Sequence, residues 1–268
     1  MVKLATSGES GKRAPSSHAP ASATARKVIE AFNTWAFKRE QPSDMDLLRQ
    51  VVSRAIERNA SLPFVLYWGK GPRSTIATPD TECLDFLAAL DQRVRRVHLP
   101  GALITLVFTD THAQLNGHAG ADIRRYFTAV AEAAAQRGFE SCWLSTLKSA
   151  LDPTQRQNTQ TQLHPDTLEK LARCAERWYA GNGTATEGAR QYYEMNMVEK
   201  RAVEHAFPDA IFITFNGRTY RDLFPERMPI FYMYSLRRGV AVKPWFMADE
   251  TAPSRAPRET EASGLAPQ

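Results

Sequence analysis

Cysteine is scarce. The 268 residues hold three, Cys83, Cys142 and Cys174, an odd number without the paired spacings of a metal site. A disulfide framework is not indicated, and the pattern fits reduced, mostly buried thiols in a cytosolic protein. Long apolar runs are also missing. The most apolar stretch, Ala102 to Thr109, is bounded by Pro100-Gly101 and Asp110, well short of the ~20 residues that cross a bilayer, so it reads as a buried strand. The basic residues near the start, Lys3, Lys12, Arg13, Arg26 and Lys27, are followed by no apolar segment of the kind a secretory signal carries. A soluble, cytoplasmic protein is expected, with no membrane partner.

The body of the chain also lacks a strong charge of either sign. Of the formal +5, residues 1–27 account for +4 and residues 249–268 for −2, leaving +3 in between. That is too little for a surface that tracks phosphates, so nucleic acid is not an expected partner. No internal repeat is present. What is present is ordinary globular composition, 43% hydrophobic and 24% charged, enough for one large packed domain. Residues 1–23 and 248–268 are rich in Ser, Ala, Pro or charge without periodicity and read as disordered tails around a folded body of residues 24–247.

Within that body the periodicity changes in a regular order. Thr24 can cap a helix carrying Val28, Ile29, Phe32 and Trp35, and Ser43 a second one carrying Leu47, Leu48, Val51, Val52 and Ile56. Pro63 to Trp68 is an apolar strand that stops at Gly69-Lys70-Gly71-Pro72-Arg73. Asp80 starts a helix through Leu90 whose last turn carries Arg93, Arg95 and Arg96, favourable at the negative end of the helix dipole. Leu103 to Phe108 is the next strand, breaking into a loop at Thr109-Asp110-Thr111-His112. A helix follows over 121–137 and stops at Gly138, before a third strand over 139–144.

Beyond a polar segment at 152–162, expected to be mobile, the spacing predicts helices over 165–179 and 187–205. Strands over 210–215 and 230–235 close the body, the last as an edge. Near-continuous apolar strands alternating with helices predict a Rossmann-like α/β fold, with a mainly parallel sheet covered on both faces in a single domain.

In such sheets ligands bind beyond the carboxyl ends of the strands. The first loop there, Gly69 to Ser74, offers backbone amides and the cations Lys70 and Arg73 to a phosphate or carboxylate. It lacks the Gly-Lys-Ser/Thr ending of a P-loop, and a plain solvated turn is an equal reading. The second, Thr109 to His118, holds Asp110, His112, Asn116 and His118. Asp110 could orient a histidine or accept a proton, and His112 could act as acid or base near neutral pH.

No recognised metal spacing links these residues, so neither metal nor cofactor is expected. The third cluster combines Tyr192, Tyr193, Glu194, Asn196 and Glu199 on a helix with Asn216, Arg218 and Tyr220 after a strand. Glu194 and Glu199 point in different directions, so only one can face a site, and a solvated helix face is the more ordinary reading. Cys83, beside apolar neighbours on a helix, reads as core.

The order of motifs resembles the isocyanide synthases of the pyoverdine and dityrosine biosynthesis family, over about Leu62 to Trp245. The resemblance rests on the Lys-containing loop after the apolar run (Phe64 to Arg73), Pro79-Asp80-Thr81-Glu82 opening a helix, Pro100-Gly101-Ala102 leading to the strand that ends in Thr109-Asp110, and a late Pro244-Trp245. It implies a transferase or lyase of specialised metabolism that converts the amino group of an amino acid or amine to an isonitrile, with a pentulose phosphate supplying the carbon. Under it Lys70 and Arg73 bind the anion, and Asp110, His112 and Lys70 are the catalytic candidates. Glu82 or Glu199 holds an amino group, and Asn116, His118, Asn216 and Arg218 complete the binding set. A weaker similarity to cyclodipeptide synthases, through Val107 to His112 and the helix of Tyr193 to Glu199, lacks that family's Gly-x-Ser element. A non-catalytic carrier or sensor of an anionic metabolite would use the same loops.

Overall fold

The computed structural model describes residues 23–69, 71–152 and 164–233. Two helices open the chain, α1 (Ala23–Phe32) and α2 (Met45–Glu57). The cap of α2 is Asp44, whose carboxylate accepts from the amides of Asp46 and Leu47. The expected cap, Ser43, instead accepts the Ile230 amide on its hydroxyl. An ionised side chain answers the orphan amides and the helix dipole better than a hydroxyl does, which leaves Ser43 free to anchor a strand.

The chain continues through β1 (Leu62–Trp68), α3 (Thr78–Arg95), β2 (Ala102–Phe108), α4 (Asp110–Leu115), α5 (Gly120–Ala135), β3 (Glu140–Trp143) and α6 (Leu144–Ala150). After it come α7 (Pro165–Trp178), α8 (Ala185–Ala206), β4 (Ile211–Thr214), a 3-10 turn over Arg218–Leu223, and β5 (Ile230–Tyr232). Gly138 adopts a left-handed φ of +75°, the conformation that ends α5 where the sequence placed its stop. Two elements depart from expectation. The Thr109–His112 segment is not open loop, because α4 begins at Asp110. A further short helix, α6, follows β3 directly.

All described strands pair in parallel, in the order β3-β2-β1-β4-β5. The expected parallel α/β sheet is therefore what forms, with β5 at its edge. Alternation along β1 divides the core. Phe64, Leu66 and Trp68 pack with Phe32, Val52, Leu87 and Phe127 on one face, while Val65 and Tyr67 pack with Leu171, Tyr193 and Met197 on the other. Period-2 alternation thus buries both faces of one strand under different helices, each full burial of a large apolar side chain being worth roughly 1.5–3 kcal/mol. Phe108 stacks on Phe127 at 5.0 Å, with Trp143 edge-on at 5.7 Å. Cys83 packs against this first face.

The strand order has one reversal. The chain runs outward from β1 through β2 to β3, and α6, α7 and α8 then carry it to the other side of β1 as β4. The crevice between the carboxyl ends of β1 and β4 is the place where such sheets bind ligands. No described helix is long and apolar enough to cross a membrane. The expectations for residues 1–22, 153–163 and 234–268, among them the mobile polar segment, the tails and Pro244-Trp245, lie outside the described residues.

Candidate active site

Three elements converge beyond the carboxyl edge of the sheet. The turn of α4 immediately after β2 buries Asp110, Thr111 and His112 together. Asp110 turns sideways, and its Oδ1 accepts the Ser145 amide of α6 at 3.1 Å. Its carboxylate therefore ties the end of β2 to the first turn of α6. His112 faces α8, where its Nε2 lies 2.6 Å from Glu199 Oε2.

Glu199 is completely buried. It shares the inward face of α8 with Tyr192 and Asn196, at the helical spacing of seven and three positions, whereas Glu194 is exposed. The solvated-face reading fails for Glu199 because this side of α8 docks on α6 and α7 instead of meeting water.

The second oxygen of Glu199, Oε1, is buried without a hydrogen-bond partner. The nearest cation is Lys148 of α6, its Nζ 3.6 Å away and its side chain about one-third exposed (32%). With Glu199 as a carboxylate, which only accepts, His112 Nε2 is the donor in this bond and Nδ1 is left to accept from a substrate. Two tyrosines wall the imidazole. Tyr192 lies edge-on at 4.9 Å and Tyr67 of β1 at 6.1 Å between ring centroids. The Tyr67 hydroxyl is also buried without a hydrogen-bond partner. Burial first, and then the charge of Glu199, push both tyrosines above the ordinary phenol range. Both remain protonated at neutral pH, so Tyr67 can donate to a developing anion.

The segment of residues 69–74, expected to bind an anion, leads from β1 to α3. Lys70 is outside the described residues. Arg73 Nη1 lies 3.9 Å from Asp80 Oδ2. Asp80 is itself completely buried, accepting the Ala77 amide at 2.9 Å and the Tyr126 hydroxyl at 3.0 Å. The buried carboxylate that starts α3 therefore also fixes a loop cation. Glu82, two positions on and so on the opposite flank of the helix, does not join His112.

His118 meets the same loop, since a Cβ built on Gly71 would stand 3.6 Å from its Nε2. Burial holds its imidazole below the usual range, with Asp122 opposing. Asn116 closes the loop structurally, its Oδ1 accepting the Ala180 amide at 3.1 Å. Next to it Gly117 has φ +82°, and a Cβ there would come within 2.6 Å of the Ala180 carbonyl oxygen, so no other residue fits without displacing backbone.

Asn216, just past β4, buries an Oδ1 without a hydrogen-bond partner. Arg218 points away, exposed beside Glu40, which accepts its amide at 3.2 Å. The structure thus unites His112 and Glu199, sets Arg73 and His118 at a neighbouring loop, and leaves Arg218 and Glu82 aside. Sequence reading missed Tyr67 and Lys148. Tyr67 looked like strand core, and Lys148 sits on a helix whose seven residues are too short to show a period. Among the described residues no group of three or more His, Cys, Asp and Glu side chains could hold a metal ion.

No family model matches the chain, and no curated protein matches it by sequence. Its fold is found in solved structures. The PvcA protein from Pseudomonas aeruginosa superposes with a TM-score of 0.60 at 18% identity, over 83% of this chain and 87% of that one. Tyrosyl-tRNA synthetase of Archaeoglobus fulgidus, solved with L-tyrosine, gives a TM-score of 0.44 at 12% identity over 78% of this chain and 63% of its own. The first of these confirms the Rossmann-like architecture.

Proposed function

We propose that this chain is a biosynthetic enzyme resembling the isocyanide synthases, acting on the amino group of an amino acid or amine together with a phosphorylated sugar. One observation carries the reading: a buried His112–Glu199 pair, closed at 2.6 Å, sits beyond the carboxyl edge of a Rossmann-like sheet. The fold shared with PvcA and the order of the sequence motifs support it. Glu199 orients the imidazole, and His112 Nδ1 takes and returns the protons that imine formation and carbon–carbon cleavage require. The Tyr67 hydroxyl, held as a phenol, donates to oxygen as charge develops there.

Arg73, braced by Asp80, and Lys70 from the same loop would bind the phosphate. Asn216 Oδ1, buried and unpartnered, would accept a hydrogen bond from the substrate's amino group. The protein would work in the cytoplasm on small molecules, without nucleic acid.

The test is mass spectrometry of the purified protein incubated with pooled amino acids, the matching amines and ribulose 5-phosphate. The expected product is a substrate that has gained one carbon and lost two hydrogens, formed by the wild type and abolished in His112→Ala. Thermal stabilisation by these compounds with no such product would move the protein to another reaction or to binding alone.

A further inference from the structure

Three groups around the His112–Glu199 pair have hydrogen-bonding capacity that no described residue uses. Glu199 Oε1 and the Tyr67 hydroxyl are buried without hydrogen-bond partners. Lys148 Nζ makes no hydrogen bond among the described residues, and at 3.6 Å it stands just beyond hydrogen-bond reach of that same Oε1. A buried acceptor left unpaired costs roughly 1–3 kcal/mol, so it marks a place where a ligand or intermediate is to be met. A simple structural ion pair would close this gap. Here the amine stands off, about one-third exposed (32%), with a carboxylate behind it and an imidazole behind the carboxylate.

We propose that Lys148 is a nucleophile that forms an imine with a small ketone or aldehyde, the phosphorylated ketose of the reading above being one such compound. The proposal rests on that reading only for the place of the site. The chemistry balances within the site. The Lys148 ammonium gives one proton to Glu199 Oε1, and Nζ attacks the carbonyl carbon. The carbonyl oxygen receives that proton and becomes the hydroxyl of a carbinolamine. A second proton then leaves nitrogen by the same carboxylate, the C–O bond breaks and water departs, leaving a protonated imine. Ammonium plus carbonyl thus become iminium plus water, with no oxidant and no net proton change. The Tyr67 hydroxyl, itself unpartnered, donates to the oxygen during attack. The iminium is the electron sink that makes cleavage of the neighbouring carbon–carbon bond accessible, with His112 taking the proton from the hydroxyl beyond that bond.

Reductive trapping tests this. The full chain is incubated with ribulose 5-phosphate or dihydroxyacetone phosphate and sodium cyanoborohydride, then analysed by intact mass and peptide mapping. The expected result is one adduct, on Lys148, at roughly tenfold or more the occupancy of any other lysine. It should be absent in Lys148→Arg, which keeps the charge and the fold, and several-fold slower in Glu199→Gln. Adducts spread evenly over the surface lysines, or no adduct at all, would overturn the proposal. The isonitrile assay is independent of it. Product without a Lys148 adduct sinks this inference and spares the proposed function, and an adduct without product does the reverse.

Discussion

His112 Nε2 and Glu199 Oε2, 87 positions apart in sequence, meet at 2.6 Å in the interior. This pair is a structural element as well as a chemical one. Removing one member of a buried pair leaves the other charge uncompensated, at a cost of about 3–5 kcal/mol. His112→Ala is expected to lose stability toward the lower part of that range, because Lys148 still faces Glu199. Glu199→Gln, which keeps a hydrogen-bonding group beside the imidazole, loses less. Urea unfolding of both variants checks the order, and each should lower turnover by roughly 10²–10⁴-fold, the usual worth of a general acid–base group.

Tyr67 makes a sharper case, since stability and activity should move in opposite directions. Its hydroxyl is buried with no hydrogen-bond partner, while its ring packs edge-on against Phe212 at 5.1 Å. Tyr67→Phe keeps the ring and removes the unpaired oxygen, so thermal unfolding is expected to show a gain of about 1 kcal/mol. Product formation should fall. A variant that is both less stable and fully active would show that the hydroxyl has a structural partner and no role at the site.

Arg73 and Asp80 should separate binding from folding. Asp80 is completely buried and holds the start of α3, Tyr126 and Arg73 at once. Asp80→Ala is expected to destabilise the fold by about 2–4 kcal/mol, through lost bonds and an emptied polar site. Arg73→Met leaves Asp80 its other partners, so it should cost little stability. It should instead weaken ribulose 5-phosphate binding by about tenfold or more, the worth of one charge-assisted contact. Calorimetric titration of the folded variants distinguishes the two.

His118 provides a pH signature. Burial holds its imidazole below the ordinary histidine value of about 6.5. Between its folded value and 6.5 the unfolded chain binds a proton that the native chain does not, so stability rises with pH across that window. The contribution of His118 is fully present above 6.5 and is lost as pH falls through the folded value. Urea midpoints measured at stepped pH should show this slope in the wild type and a flatter one in His118→Gln.

The fold was legible because its determinants are local. Apolar runs such as Ala102–Phe108 and the glycine stop at Gly138 act within a few residues of where they stand. Helices too short to complete a period were not legible. The turn of α4 looked like a loop, and α6 was invisible. His112 and Glu199 were each identifiable as candidates, by position after a strand and by place on a helix. Their pairing was not, because nothing in the local pattern states that α8 would press this face onto α4. Lys148 and Tyr67 went unseen for the same reason. A lysine on a short helix and a tyrosine inside a strand look ordinary until tertiary packing sets the amine against a buried carboxylate and leaves the phenol without a hydrogen-bond partner.

The reversal of strand order beside β1 has a kinetic consequence. Everything that carries His112 belongs to the part of the chain that builds β1, β2 and β3, and everything that carries Glu199 belongs to the crossover that must travel back past β1 before β4 can pair. Closing a contact across 87 positions comes late in folding, since its loop entropy is met before any reward is collected. A refolding chain should therefore regain helical circular dichroism first and catalytic competence in a slower phase. On the ribosome the His112 site would stay incomplete until α8 had emerged.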